Sequence, residues 1–198
     1  QRILFVIVFR PGHTETGERI RKYVSENLAD HHLEINVESL AEKESDELIR
    51  NLLHKVNLPV EINRLIIDRA AGNPFFIEEV IRSFIDEGLI EVKDDQFLLT
   101  ENIKYANIPE SIDNVLLSRI DRLDEKTKEL LKTASVIGRN FYYKVLEEAA
   151  VTIEEVDHKL EYLKDVQLIN ERKKKDEVEF LFKHALAQQA TYESILEK

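Results

Sequence analysis

At 198 residues the chain can form one large domain or two to three small ones, each burying a modest core. A hydrophobic share of 43% and a charged share of 34% are those of a soluble globular protein and exclude a chain too polar to fold. The absence of cysteine excludes disulfides, thiolate nucleophiles and zinc–thiolate sites and fits a cytoplasmic location, while a net charge of −11 argues against a nucleic-acid partner.

Ile3 to Phe9 is a continuous apolar run rich in β-branched and aromatic residues, the pattern of a strand buried on both faces of a parallel sheet. At seven residues it is far short of the about 20 needed to span a bilayer, and no signal-peptide cleavage pattern follows. No membrane partner is expected. The run opens the sequence without a methionine, which predicts a piece of something longer. Gly17 to Leu28 predicts a helix, and the alternation of Leu33, Ile35 and Val37 within His32 to Leu40 predicts a second strand.

From Ala41 the period becomes helical. Leu48, Ile49, Leu52, Leu53 and Val56 predict a helix over Glu42 to Val56, and Pro59 opens another that ends at Gly72-Asn73. Pro74 takes the favoured first-turn position of a third, reaching Glu87. Leu89 to Val92 and Gln96 to Leu99 predict a hairpin around Lys93-Asp94-Asp95, and Asn102 to Ile108 a linker.

Beyond Pro109, helices are predicted over Ile112 to Ile120, from an Asp124 N-cap to Gly138, and over Tyr142 to Ala150. Thr152 with Glu155 predicts a capping box opening the next helix. Leu168-Ile169 and Val178 to Phe182 bracket a charged turn, Glu171 to Glu177, and a last helix runs from His184 to Leu196. Helices followed by a two-stranded hairpin predict a winged helix. The expected fold is mainly α with a small α/β portion: residues 1–40 the strand-helix-strand end of an α/β core, 41–108 a helical lid with a hairpin, and 109–198 a winged-helix domain.

The stretches Phe9-Arg10-Pro11, Ala70-Ala71-Gly72-Asn73-Pro74-Phe75-Phe76-Ile77-Glu78-Glu79, Ile108-Pro109-Glu110-Ser111-Ile112, Ala134-Ser135-Val136-Ile137-Gly138-Arg139 and Phe182-Lys183-His184-Ala185-Leu186 with Tyr192-Glu193-Ser194 carry a resemblance. In this order they resemble the C-terminal part of the ATPase module in the signal-transduction ATPases with numerous domains, a branch of the AAA+ superfamily. The resemblance implies a regulatory ATP/ADP-sensing segment that couples nucleotide state to domain opening. It gives Arg10 the strand-end sensor role near the terminal phosphate, Gly72 and Pro74 the lid motif that packs on adenine, and His184 the winged-helix histidine that reaches the phosphates. The chemistry suits those roles. A guanidinium binds phosphate oxygens as a fork, proline offers a rigid apolar face, and a helix start favours anions. Each residue also has a plain structural reading: a cation ending a strand, punctuation between helices, and a helix-capping histidine. At His184 the flanking Lys183 and Ala185 depart from the family pattern.

No G-x-x-x-x-G-K-[ST] loop is present, and neither is an Asp-rich strand to polarise water. The chain itself is therefore not expected to hydrolyse ATP, and magnesium belongs only to an intact parent, a slow ATPase. Its expected partners are a missing N-terminal phosphate-loop core, downstream repeat or output domains, and other proteins. Two alternatives stay open: a winged-helix DNA-binding segment like that of replication initiators, and a protein-interaction scaffold that uses no nucleotide. Arg172 to Lys175 could touch a DNA backbone, but Asp176, Glu177 and Glu179 offset the charge. His13, His31, His32, His54 and His158 lack partners at metal-ligand spacing.

Overall fold

The computed structural model describes residues 3–10, 12, 15–93, 96–174 and 177–196. Two compact units divide the chain, Gln1–Glu38 and Ser39–Lys198.

In the first unit the helix α1 spans Glu15–Asn27, followed by a single 3-10 turn at Ala29–His31. Arg21 ties α1 to Glu34 at 2.8 Å. Neither run expected as a strand forms one. Residues 3–10 and 32–40 have no strand pairing, and Ile3 to Val8, Leu33, Ile35 and Val37 are exposed. The reason is physical: a β-strand exists by virtue of its neighbour, and two strands with no further strand or covering layer are marginal in water.

The second unit is mainly helical with two small antiparallel sheets. It contains α2 (Glu42–Leu52), α3 (Val60–Ala70) and α4 (Pro74–Asp86). Apolar residues three and four apart direct one face of each helix inward: Ile49 and Leu53 at the end of α2, Ile62, Ile66 and Ala70 on α3, and Phe76, Ile77, Val80, Ile81 and Phe84 on α4. The hairpin of β1 (Ile90–Lys93) and β2 (Gln96–Leu99) covers the end of this core, with Ile90 opposite Leu99 and Lys93 opposite Gln96. Asp94 and Asp95, expected in its turn, lie outside the described residues. The segment expected as a linker is instead part of the core. Glu101–Tyr105 forms a 3-10 helix, and both Ile103 and Ile108 are buried. Two isoleucines four or more residues apart in an otherwise polar stretch are enough to pin it down.

α5 (Ile112–Asp121) is shared. Val115 faces the first core, whereas Leu116 and Ile120 belong to a second core. That second core is enclosed by α6 (Glu125–Ile137), β3 (Asn140–Tyr142), α7 (Tyr143–Ala149), α8 (Val156–Asp165), β4 (Ile169–Lys174), β5 (Glu177–Phe182) and α9 (Ala185–Leu196). Leu130, Leu131, Phe141, Leu146, Leu160, Ile169, Phe180 and Phe182 fill it. The sheet order is β3-β5-β4, all antiparallel, with Phe180 opposite both Phe141 and Glu171.

Two expectations are corrected here, and one strand was not expected. The hairpin strands are longer than the sequence pattern suggests: Glu171 to Lys174 lie in β4, not in a turn, and Lys175 and Asp176 lie outside the described residues. β4 is an edge strand, where charges are tolerated and discourage further pairing. β3 escapes a periodicity reading because it has only three residues. Thr152 and Glu155 do not form a capping box. α8 starts at Val156 after Glu155, which has φ of 56° and no side-chain cap bond, because the turn that bonds Ile153 N–H to the Ala150 carbonyl places Thr152 before the helix.

The Asp124 cap does form. Its Oδ1 accepts from the backbone N–H groups of Lys126 and Thr127 at 3.1 and 3.0 Å. These bonds, with the Thr127 side chain foremost, hold its carboxyl below the ordinary value. Asp124→Ala should cost about 1 kcal/mol in urea denaturation at neutral pH, within the range for lost N-caps. Because the folded carboxyl is depressed, the wild-type advantage is present above the unfolded pKa and disappears as the pH falls through the folded one. An unchanged midpoint at pH 7 would show that the cap contributes nothing.

Candidate functional site at the junction of the two cores

α4 joins the two cores, and its two ends and two faces have different duties. Its start is set by the turn that closes α3, where Ala71 and Gly72 both have positive φ, 46° and 77°. Asn73 then caps α4, its Oδ1 accepting from Phe75 N–H at 3.0 Å, and Pro74 occupies the first helical position without needing a donor of its own. Gly72 is buried and Pro74 exposed. The face of α4 opposite the first core carries Phe75, Glu79, Arg82 and Asp86, a stripe at helical spacing that meets α5 and, through Phe75, His184 before α9.

Arg119 of α5 gathers that stripe. Its Nε donates to Asp86 Oδ2 at 2.9 Å, one terminal nitrogen donates to Glu79 Oε2, and the other donates to the Val166 carbonyl beyond α8 at 2.5 Å. The Arg119 and Glu79 side chains are each 1% exposed. One turn further along, Arg122 donates to Ser83 Oγ at 3.0 Å, to Ser118 Oγ at 2.9 Å and to Glu87. On this side a cavity of about 290 Å³ is lined by Asp86, Arg119, Arg122, Leu123, Tyr162, Val166 and Leu168. Its two guanidinium groups are already engaged by protein acceptors.

On the other side of Glu79 lies His184, immediately before α9. Its ring packs on Phe75 with centroids 3.9 Å apart and planes at 39°. Its Nε2 is 3.9 Å from Glu79 Oε1, too far for a hydrogen bond. Its backbone carbonyl accepts from Ala187 N–H at 3.1 Å, opening α9. Burial pushes the imidazole below its ordinary value, Glu79 opposes that shift, and Lys183 adds to it. Lys183 is also lowered, by burial and then by Arg82, although its Nζ donates to Gln167 Oε1 at 2.6 Å. Arg82 is lowered by burial and then by Arg119.

A family described only as a domain of unknown function, DUF8739, matches residues 41–97. No curated protein matches the chain. The matched segment runs from the residue before α2 into β2, so it contains Gly72, Pro74 and Glu79 but neither Arg119 nor His184.

Of the four residues singled out in the sequence, Pro74 and His184 are brought to the same place: the His184 ring contacts Phe75, the residue after Pro74. Gly72 turns its α-carbon onto the Leu40 backbone and the Ser39 Cβ. Arg10 is exposed in the first unit, and Pro11 beside it lies outside the described residues. Sequence reasoning missed Glu79, Arg82, Asp86 and Arg119. A signal existed. Arg119 occupies an inward position of the stripe Ile112, Val115, Leu116, Arg119, Ile120, where a buried cation demands an acid, and Glu79 sits between Ile77 and Val80 on the most apolar helix.

At the hairpin whose basic run was weighed against DNA contact, Lys173 pairs with Glu171 at 3.7 Å and Arg172 with Glu179 at 3.9 Å. Among the described residues no group of His, Asp or Glu could hold a metal ion, and no helix is long and apolar enough to cross a membrane.

Proposed function

We propose that this chain is the nucleotide-sensing regulatory segment of a multidomain signalling ATPase of the kind its motifs resemble. In this reading residues 1–40 are the end of an α/β core whose two strands would pair only beside the rest of that core, 41–108 the lid and 109–198 a winged helix. The single observation that carries it is the packing of His184 on Phe75. Two motifs far apart in the sequence, the Gly72-Asn73-Pro74 turn and the histidine before α9, meet at one end of α4.

The residues there fit an adenine nucleotide. Pro74 presents an exposed apolar ring suited to a base, while the amide of Phe75 is already taken by Asn73. The start of α4 is therefore better suited to stacking than to cradling phosphate. Within the second unit phosphate recognition falls to His184, whose ring nitrogens can donate to phosphate oxygens; the sensor role that the resemblance gives Arg10 belongs to the first unit and is a separate assignment. ATP or ADP supplies the phosphate whose presence distinguishes the two states, and magnesium enters only with a phosphate loop from the rest of such a protein. The chain's own part is to change arrangement. A ligand shifts two states only by contacts it makes differently in each, and His184 sits where the second core joins the first.

In the full-length protein, His184→Ala should remove one phosphate contact worth about 0.5–3 kcal/mol and speed ADP release accordingly. Its loss should also increase protease cleavage within residues 102–108, beside the junction. Measuring both decides the matter: unchanged release and cleavage alongside a lower melting temperature would leave His184 as a packing residue only.

A further inference from the structure

Buried polar atoms in folded proteins almost always find partners, so those that do not require an explanation. Among the described residues, Glu79 Oε1, Arg82 Nε and His184 Nε2 are buried without a hydrogen-bond partner. Two of these face each other. Glu79 Oε1 is an acceptor, His184 Nε2 is a donor whenever it carries a proton, and the gap of 3.9 Å is about one ångström longer than a hydrogen bond. The Glu79 carboxylate is not free to seek another partner, because its second oxygen is fixed by Arg119 and the side chain is fully enclosed. Phe75 packs on one face of the ring, on the side of α4 that carries Glu79.

We propose that Glu79 is the positioning residue of His184: its carboxylate, held by Arg119, aims Nε2 of the imidazole and gives the ring a resting partner that a bound phosphate must displace. The purpose of this arrangement rests on the nucleotide-switch reading; the facing of the two unpartnered atoms across 3.9 Å does not. A carboxylate and a phosphate compete for the same N–H, so His184 has two exclusive states. One is turned to Glu79, joining α9 to α4 and α5; the other is turned to the ligand. Arg119 makes the resting state depend on closure of the α4–α5 interface, because Glu79 can hold its direction only while the guanidinium grips it.

The charged groups that act on His184 are Glu78, Glu79 and Arg82 of α4 and its own neighbour Lys183. Glu79 and Glu78 favour the protonated ring, while burial, Lys183 and Arg82 oppose it, with burial the largest effect. Burial therefore favours the neutral ring. A depressed histidine contributes stability above its unfolded pKa of about 6.5 that is lost as the pH falls toward the folded value, because the unfolded chain takes up the proton first. Glu79 limits that loss.

The experiment is an NMR titration of the His184 ring in the nucleotide-free protein. In wild type the ring should titrate below the ordinary histidine value, and its neutral form should carry the proton on Nε2. In Glu79→Gln the titration should move down by about one further unit, the lower end of the effect of an opposite charge within 4–6 Å. Glu79→Asp, which keeps the charge, should titrate above Glu79→Gln. A wild-type ring protonated on Nδ1 overturns the proposal and needs no variant to be seen. An equal titration in wild type and folded Glu79→Gln overturns it too. No nucleotide is present, so failure here is distinct from failure of the ADP-release test.

Discussion

Replacing Arg119 by alanine should destabilise the protein by about 3–5 kcal/mol, the cost of leaving a buried charge without its partner. Domains of this size have about 5–15 kcal/mol of total stability, so the variant should unfold at a far lower urea concentration and a large fraction should be unfolded on warming. The magnitude follows from what the guanidinium holds. It is fully enclosed, donates to Glu79, Asp86 and the Val166 carbonyl, and thereby ties α4, α5 and the end of α8 together. An exposed pair such as Lys126 with Glu129 offers the comparison, because pairs in water contribute only about 0–1 kcal/mol. Two further variants separate charge from packing. Arg119→Met alone should be nearly as damaging as alanine, since Glu79 is still stranded. Arg119→Met combined with Glu79→Leu should recover much of the loss, since apolar replacement of a buried pair is often neutral. A loss below about 1 kcal/mol for Arg119→Ala would place water around Glu79 and remove the basis for calling the pair buried.

The helices of the second unit were legible because their apolar residues repeat at three and four. Ile62, Ile66 and Ala70 on α3, or Leu160 and Leu163 on α8, each report one inward face before any partner is known. Asp124 and Pro74 were legible for a different reason: a cap or a first-turn proline acts within a few residues, so the sequence contains its whole context. The run Ile3 to Phe9 shows the limit. Its composition demands burial but does not say against what, and among the described residues of the first unit no strand pairs with it. The segment from Asn102 to Ile108 shows the converse error. Polar residues suggested a linker, yet Ile103 and Ile108 anchor it in the first core.

The candidate site was half legible. Pro74 and His184 stood out by motif, and their meeting at Phe75 is a tertiary fact that no local pattern encodes. Glu79 and Arg119 were passed over because charged residues on helices usually face water. Only their position within an apolar stripe marks them as enclosed, and only the fold shows that one carboxylate lies between an arginine of α5 and the histidine before α9.

Gly72→Ala should cost about 3 kcal/mol, more than the positive-φ penalty alone, because two effects coincide there. The backbone has φ of +77°, which for a residue with a side chain costs about 1–2 kcal/mol. A methyl group would also stand 2.4 Å from the Leu40 carbonyl oxygen and 2.8 Å from Ser39 Cβ. The neighbour cannot simply swing away. It is backbone, and Leu40 N–H donates to the Gly72 carbonyl at 2.8 Å, so relieving the clash breaks that bond. Gly88 supplies the control: its φ is +67°, but nothing lies within 4 Å of where its Cβ would be. Gly88→Ala should therefore show only the conformational cost, about 1–2 kcal/mol. The difference between the two, measured by urea denaturation, isolates the close approach of residues 39–40 to the turn before α4. Hydrogen exchange at the Leu40 amide should accelerate in Gly72→Ala and stay slow in Gly88→Ala. Equal losses with an unchanged Leu40 amide would mean the 39–40 segment does not press on Gly72, and that the glycine is required by φ alone.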